Sequence, residues 1–286
     1  MTTWFILGAG YTGGRLAGRI VRGLQDGREG LDHLVVTRRQ PGDVAGVVAS
    51  YASPHVRGVA VDLARPETLA NAIPDDAVVV CTAPPGGDPA GEIQALAAAA
   101  SSARRLVYVS STGVYGPGHG GWVDESAPIA PITSSGRARA AAESALPSSA
   151  ISLRVAGIHG PGRSLVDRIR AGTYRIIGDG RSHVSRIHVD DLVEAIVCAA
   201  LATITGPINI ADDDPAPIAE VADAVAAALG KDPPPRVDPS NVDGEVAGML
   251  LADRRIANTR MKHDLGVRLR YPSWRDALAA ELTGAR

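Results

Sequence analysis

Along the first half of the chain, short apolar runs alternate with polar turns and longer stretches whose apolar residues fall at helical spacing. Trp4-Phe5-Ile6-Leu7 predicts a strand, with a tight turn over Gly8-Ala9-Gly10-Tyr11-Thr12-Gly13 behind it. Leu16, Ile20 and Leu24 then recur at i, i+4 and i+8, which lays one apolar stripe along a helix. Leu34–Val36 predicts the second strand, Val59–Val61 the third, Ala77–Val80 the fourth and Leu106–Val109 the fifth. An Ala-rich helix, Glu92–Ala100, separates the last two, and a helix over roughly 136–146 leads into a sixth strand, Ile151–Val155. Uninterrupted apolar strands separated by helices require cover on both faces, the condition of a parallel sheet. The pattern is that of a doubly wound α/β domain.

After Gly160 the pattern changes. Pro and Gly become frequent in Gly160-Pro161-Gly162, Ile177-Gly178-Asp179-Gly180 and Pro233-Pro234-Pro235, and the elements shorten. Ile187–Leu192 opens a helix, with Asp190 or Asp191 placed to cap it, and Ile208–Ile210 reads as one more strand. Helices are expected near Ile218–Leu229 and Arg254–Leu265. Residues 1–160, with 184–212 returning to them, are therefore expected to form the main domain. Residues 161–183 and 213–286 would form a small C-terminal lobe.

Composition narrows the class of partner. The 29 basic residues balance 31 acidic ones for a net charge of −2, which argues against nucleic acid or an anionic membrane surface. Two cysteines, Cys81 and Cys198, are too few for a disulfide framework and point to a reducing cytoplasm. The apolar opening runs straight into Gly8, unlike a cleavable leader, and the uncharged stretch Ala195–Ala211 is broken by Gly206-Pro207. A small-molecule substrate is the expected partner, with a homodimer left open.

Gly8, Gly10 and Gly13 form G-x-G-x-x-G at the first strand–helix junction, with Tyr11 and Thr12 inside the same turn. The first glycine allows the tight turn, the second lets backbone approach a pyrophosphate, and the third brings helix and strand together. The helix start then offers amide donors to the phosphates. At the end of the second strand an acid would hold a free ribose 2′-hydroxyl, whereas arginine suits a 2′-phosphate. The residues there are Thr37-Arg38-Arg39, with no carboxylate until Asp43. The expected cofactor is NADP, preferred over NAD.

At Ser110-Ser111-Thr112-Gly113-Val114-Tyr115-Gly116 the chain resembles the extended short-chain dehydrogenase/reductase family, the nucleotide-sugar epimerases and dehydratases. Other landmarks follow in family order: Val61-Asp62-Leu63, Leu153-Arg154 through Gly162, Gly178-Asp179-Gly180, Ile187–Asp191, Ile208–Ala211 and Leu265-Gly266. The resemblance implies a Rossmann-type doubly wound parallel sheet with a small C-terminal substrate lobe. It implies that Asp62 and Leu63 border the adenine and that Thr82, Ala83 and Pro84 line the cofactor. It also implies that Ser111 polarises the substrate.

That family's main catalyst is the tyrosine of Tyr-x-x-x-Lys on a helix, about 24 residues further on. Here Ser135 holds the tyrosine position and Arg139 the lysine position. No shift of register restores the motif: the residues four after the six tyrosines are Arg15, His55, Thr112, His119, Gly178 and Arg275. A serine hydroxyl ionises far above the tyrosine value of roughly 10 and needs a partner to relay a proton. A guanidinium stays protonated and cannot act as a base, although Arg139 would still suit the nicotinamide ribose. The chain thus resembles the atypical branch of the family. Ser111, Tyr115, Ser135 and Arg139 are the catalytic candidates.

The remaining candidates read more plainly. His119, in the loop Gly116–Gly121, is read as a mobile, exposed histidine, and Asp124 and Glu125 as loop charges. His183, His188, Asp190 and Asp191 lack a recognisable metal-ligand spacing. Arg154, Arg163, Arg168, Arg170, Arg181 and Arg186 sit where the family binds a nucleotide diphosphate. The expected function is NAD(P)-dependent oxidoreduction or epimerisation of a small polar or nucleotide-sugar substrate. The alternative from a different class is a non-catalytic NADP(H)-binding sensor or regulatory module.

Overall fold

The structure is a computed structural model that describes residues 2–26 and 32–284. Seven strands, β1 (Thr3–Leu7), β2 (His33–Arg38), β3 (Val56–Ala60), β4 (Val78–Cys81), β5 (Arg105–Ser111), β6 (Ile151–Val155) and β7 (Gly206–Ile210), form one sheet. Their order is β7-β6-β5-β4-β1-β2-β3. The pairs β1–β2, β1–β4, β2–β3 and β4–β5 are parallel. The chain winds outward from β1 to β3 and returns to β4 on the other side of β1. That reversal is the switch point at which such sheets bind nucleotides, at the carboxyl ends of the strands.

The helices are α1 (Tyr11–Gln25), α2 (Pro41–Ala49), α3 (Pro89–Ala99), α4 (Ser134–Ser144), α5 (Leu165–Arg170), α6 (Val189–Leu201), α7 (Ile218–Ala228), α8 (Gly244–Leu250), α9 (Thr259–His263) and α10 (Trp274–Thr283). None of the described helices is long and apolar enough to cross a membrane. Phe5, Val35, Val79, Cys81 and Tyr108 form one core with Ile93 and Leu96 of α3. The alternate positions Trp4, Ile6, Leu34, Val36, Val78 and Val80 are buried as well. Both faces of the sheet are therefore covered, as the unbroken apolar strands demand.

The third strand starts at Val56, three residues before the apolar run suggested. Arg57 and Gly58 interrupt that run yet pair with Val35 and Val36. Gly58 is required by α2, because a β-carbon there would lie 2.2 Å from a Val44 methyl and 2.7 Å from one of Val48.

The chain divides into two compact units. One comprises Met1–Ser110, Ala138–Leu153 and Val193–Ile208; the other comprises Ser111–Arg137, Arg154–Leu192 and Asn209–Arg286. The second unit is larger than the expected lobe because residues 111–137, 154–160, 184–192 and 209–212 belong to it. Within it Gly157–His159 pairs in parallel with Arg186–His188, and Tyr115 bonds to Asn209. Its apolar centre joins Val166 and Ile169 of α5 to Ile218, Ala222 and Val225 of α7.

Two local expectations for the second unit are corrected. Residues 254–265 are not one helix: Arg255–Ile256 pairs with Trp122–Val123 as a short parallel ladder, and α9 follows it. Between them Asn258 Nδ2 donates to the Ala211 and Asp212 carbonyls, which holds the chain away from a helical path. At the start of α6 neither aspartate acts as the cap. Asp191 accepts the Arg270 and Tyr271 backbone N–H groups at 2.8 and 2.9 Å, and His188 Nδ1 accepts the Asp190 N–H at 3.2 Å.

Candidate functional site

The turn after β1 is built from glycine geometry. Gly8 has φ +97°, and a β-carbon on it would lie 2.9 Å from the Ala83 nitrogen. The Gly8 N–H donates to Thr37 Oγ1 at 3.0 Å, and Thr82 Oγ1 donates to the Gly8 carbonyl at 2.6 Å. At Gly13 a β-carbon would sit 2.3 Å from the Gly8 oxygen, so α1 presses directly on the turn. Gly10 is different: the nearest atom to a β-carbon there is the Gly8 oxygen at 4.0 Å. No side chain caps the start of α1, and its first turn carries no acid. An open glycine in front of an uncapped helix start is a cradle for phosphate. These residues fit a dinucleotide.

Around that cradle the predicted residues divide. Arg38 is half-buried, with a buried Nε that has no hydrogen-bond partner, while Arg39 is exposed. Tyr51, which the sequence pattern did not single out, donates its hydroxyl to the Gly14 carbonyl at 3.0 Å. Burial raises its pKa and the nearby Arg38 charge opposes that rise. Thr37, Thr82 and Leu63 were expected at the cofactor, but their side chains turn into the protein. Thr37, 1% exposed, and Thr82 hold the Gly8 turn, and Leu63 packs in the core. Asp62 closes its own turn by accepting from the Ala64 N–H at 3.2 Å and from Arg65 Nε at 3.3 Å. Ala83 and the exposed Pro84 begin a loop that Glu92 anchors by accepting the Gly86 N–H at 2.7 Å. Glu92 is 4% exposed; its only sequence signal was a carboxylate on the buried face of an Ala-rich helix.

The second unit holds the hydroxyl candidates. Ser111 Oγ accepts the Gly113 N–H at 3.0 Å and caps the turn Thr112–Val114. A β-carbon on Gly136 would lie 2.3 Å from the Gly113 oxygen, so the start of α4 abuts this turn. Ser135, one residue earlier, donates to Glu245 Oε1 through its N–H at 2.8 Å and its hydroxyl at 2.5 Å. Ser134 donates likewise to Oε2, at 2.7 and 2.9 Å. Led by the Ser135 hydroxyl, these bonds hold the Glu245 carboxyl down at about 2, and no neighbouring cation contributes. Glu245 was missed in the sequence because it lies 110 residues from its partner.

Residues 4–211 match the family model of the NAD dependent epimerase/dehydratase family. The chain belongs to that family. It is 35% identical over 205 residues to the 3-diazoavenalumate denitrifying reductase of a Streptomyces species, an alignment covering 65% of this chain and 67% of that one. A functionally unknown conserved protein from Silicibacter pomeroyi superposes with a TM-score of 0.79 at 28% identity, over 100% of this chain and 99% of that one. Human epimerase family protein SDR39U1, solved with NADPH, shares the fold alone at 20% identity, with a TM-score of 0.75 and complete coverage of both chains.

Several residues at epimerase/dehydratase motif positions are placed differently from their expected roles. Tyr115 is 1% exposed; its hydroxyl donates to Asn209 Oδ1 at 2.8 Å and accepts from Arg154 Nη1 at 3.0 Å. Asn209 in turn donates to the Val123 and Ala257 carbonyls, so the phenol is a buried strut and not an open proton donor. In the first unit Arg139 Nη1 donates to the Val109 carbonyl, and its guanidinium lies 5.7 Å from the Tyr108 ring. Burial pushes the neighbouring Cys81 thiol up to about 12 even against the Arg139 charge.

The loop around His119 is tied down, because the Gly118 and Gly120 N–H groups donate to the Ala252 and Asp253 carbonyls at 2.8 Å. Glu125 is an anchor instead of a loop charge: it accepts the Asn209 N–H at 2.8 Å. Three arginines of the expected diphosphate site are held by protein partners. Arg168 stacks 4.8 Å from Tyr174, Arg170 pairs with Asp167, and Arg186 is buried beside Asp212, whose carboxyl burial pushes up to about 8.

Proposed function

We propose that the chain is an NADP-preferring reductase of atypical type, acting on a small polar substrate. The observation that carries this reading is Arg38, half-buried at the end of β2 with an orphaned Nε and no carboxylate following it in the sequence until Asp43. A buried guanidinium N–H without a partner is unfavourable, and a phosphate supplies charge-assisted bonds that satisfy it. Gly8, Gly10 and Gly13 with the start of α1 would hold the pyrophosphate, and Arg38 with Arg39 the 2′-phosphate. The bound dinucleotide supplies hydride. Ser111 keeps its hydroxyl proton available, because its oxygen only accepts from Gly113, and it would polarise the substrate. Reduction, more than epimerisation, is supported by the Streptomyces relative, which is named as a reductase.

A second reading has its own support. The Ser135 hydroxyl is engaged by Glu245 and Arg139 Nη1 by Val109, so both relay positions are occupied by internal bonds. A non-catalytic NADP(H)-binding module would look the same at these positions. Steady-state oxidation of NADPH and NADH across carbonyl, imine and nucleotide-sugar panels separates the two. Turnover faster with NADPH supports the reductase. Tight NADPH binding with no turnover in any panel supports the module.

A further inference from the structure

The second unit holds a cavity of about 480 Å³ that none of the expected site residues lines, a size typical of small-molecule sites. It opens where two helices stop. α5 ends at Arg170 and the chain turns through Gly172, with φ +68°; α7 ends at Ala228 and turns through Gly230, with φ +65°. The Leu229, Gly230 and Lys231 N–H groups take the last α7 carbonyls, and Arg175 Nη1 donates to the Gly172 and Tyr174 carbonyls at 2.8 Å. Pro233, Pro234 and Pro235 add ring surface to the wall and no N–H. Recognition in this cavity is therefore left to side chains.

Ile169 and Tyr174 are buried and give it an apolar floor. Arg175 and Lys231 are exposed cations that no acid pairs among the described residues, and Asp232 is one unpaired acid beside them. Tyr174 is only 6% exposed, Arg168 stacks on its ring at 4.8 Å, and its hydroxyl makes no hydrogen bond among the described residues. Burial raises its pKa while the Arg186 and Arg168 charges oppose the rise, so the phenol keeps its proton near neutral pH. A phenol set so deeply without a partner calls for an acceptor. We infer that this cavity is a binding site for a small organic carboxylate with a flat apolar body. Arg175 and Lys231 meet the carboxylate, the Tyr174 hydroxyl donates to an oxygen of the ligand, and the body lies along Ile169 and the proline rings. Two cations against one acid leave a single positive charge, which one carboxylate neutralises. A phosphate dianion would overshoot that charge and leave the apolar floor uncovered. No lining residue belongs to the first unit, which carries the glycine turn, so this site is independent of the proposed reductase reading.

The test titrates the isotope-labelled full chain with naphthoate, with its neutral match naphthamide, and with inorganic phosphate, and follows the amide NMR signals. Naphthoate should move the signals of Gly172, Arg175, Gly230, Lys231 and Asp232 and bind about fivefold more tightly than naphthamide. Lys231 is exposed, so its replacement disturbs no core contact. Lys231→Ala should weaken naphthoate about fivefold, the upper end for an exposed charge pair, and leave naphthamide within about twofold. Tyr174→Phe should weaken naphthoate about two- to tenfold, the range for one hydrogen bond. Naphthoate that moves none of these signals in the millimolar range, or moves signals elsewhere instead, overturns the inference. Naphthamide or phosphate binding as tightly as naphthoate overturns it too, as does unchanged naphthoate affinity in Lys231→Ala.

Discussion

Replacing Arg38 with Ala isolates the group on which the NADP preference turns. Its Nε is buried and has no partner, so that N–H has been moved out of water without compensation. A 2′-phosphate would supply that compensation, and a charge-assisted hydrogen bond is worth about 1.5–3 kcal/mol. Arg38→Ala should therefore weaken NADPH binding about 10- to 150-fold. NADH lacks the 2′-phosphate, and its affinity should stay within about threefold. Arg39 is exposed, so Arg39→Ala should cost NADPH at most about 1 kcal/mol, or fivefold. Arg38→Lys keeps the charge but not the planar fork and should fall between the two. Calorimetric titration of each variant with NADPH and NADH measures all of this. Equal losses for the two cofactors in Arg38→Ala, or a larger loss at Arg39 than at Arg38, would refute the assignment.

Four further outcomes follow from the structure. Gly13→Ala drives a β-carbon to 2.3 Å from the Gly8 oxygen and should destabilise the chain by about 1–3 kcal/mol. Gly10→Ala meets nothing closer than 4.0 Å, so thermal melting without cofactor should hardly move while NADPH binding weakens; unchanged binding would argue against the phosphate cradle. Tyr115→Phe leaves Asn209 Oδ1 and Arg154 Nη1 without their shared hydroxyl and should cost about 1–3 kcal/mol in chemical denaturation, with kcat largely retained. Burial, chiefly, holds the His159 imidazole down at about 3, with the charges of His188 and Arg186 adding to the effect. The folded chain then binds fewer protons than the unfolded one between about pH 3 and the ordinary histidine value of about 6.5. Stability should fall as pH drops through that window, and His159→Phe should flatten the fall in melting curves taken from neutral to acid.

The sheet was legible because its signals are local. An unbroken run such as Val78–Val80 is legible as a strand buried on both faces, and Gly8, Gly10 and Gly13 lie within six residues of one strand–helix junction, where their spacing can be read directly. The loss of the tyrosine and lysine was equally visible, since an identity at a position can be read directly. What those positions do instead was not. Ser135 became a carboxylate's donor through a residue 110 positions away, and Tyr115 became a buried strut through Asn209, 94 positions away. The amides at a helix start or a loop specify that some acceptor must arrive, but not which one. Periodicity also cannot tell a hydroxyl facing a ligand from one facing the protein, which is why Thr37 and Thr82 were expected at the cofactor and sit behind the glycine turn. Sequence alone determined the α/β architecture and the chemistry available at each position. Tertiary packing decided which of those groups are already engaged, because only the folded chain brings distant donors and acceptors within bonding distance.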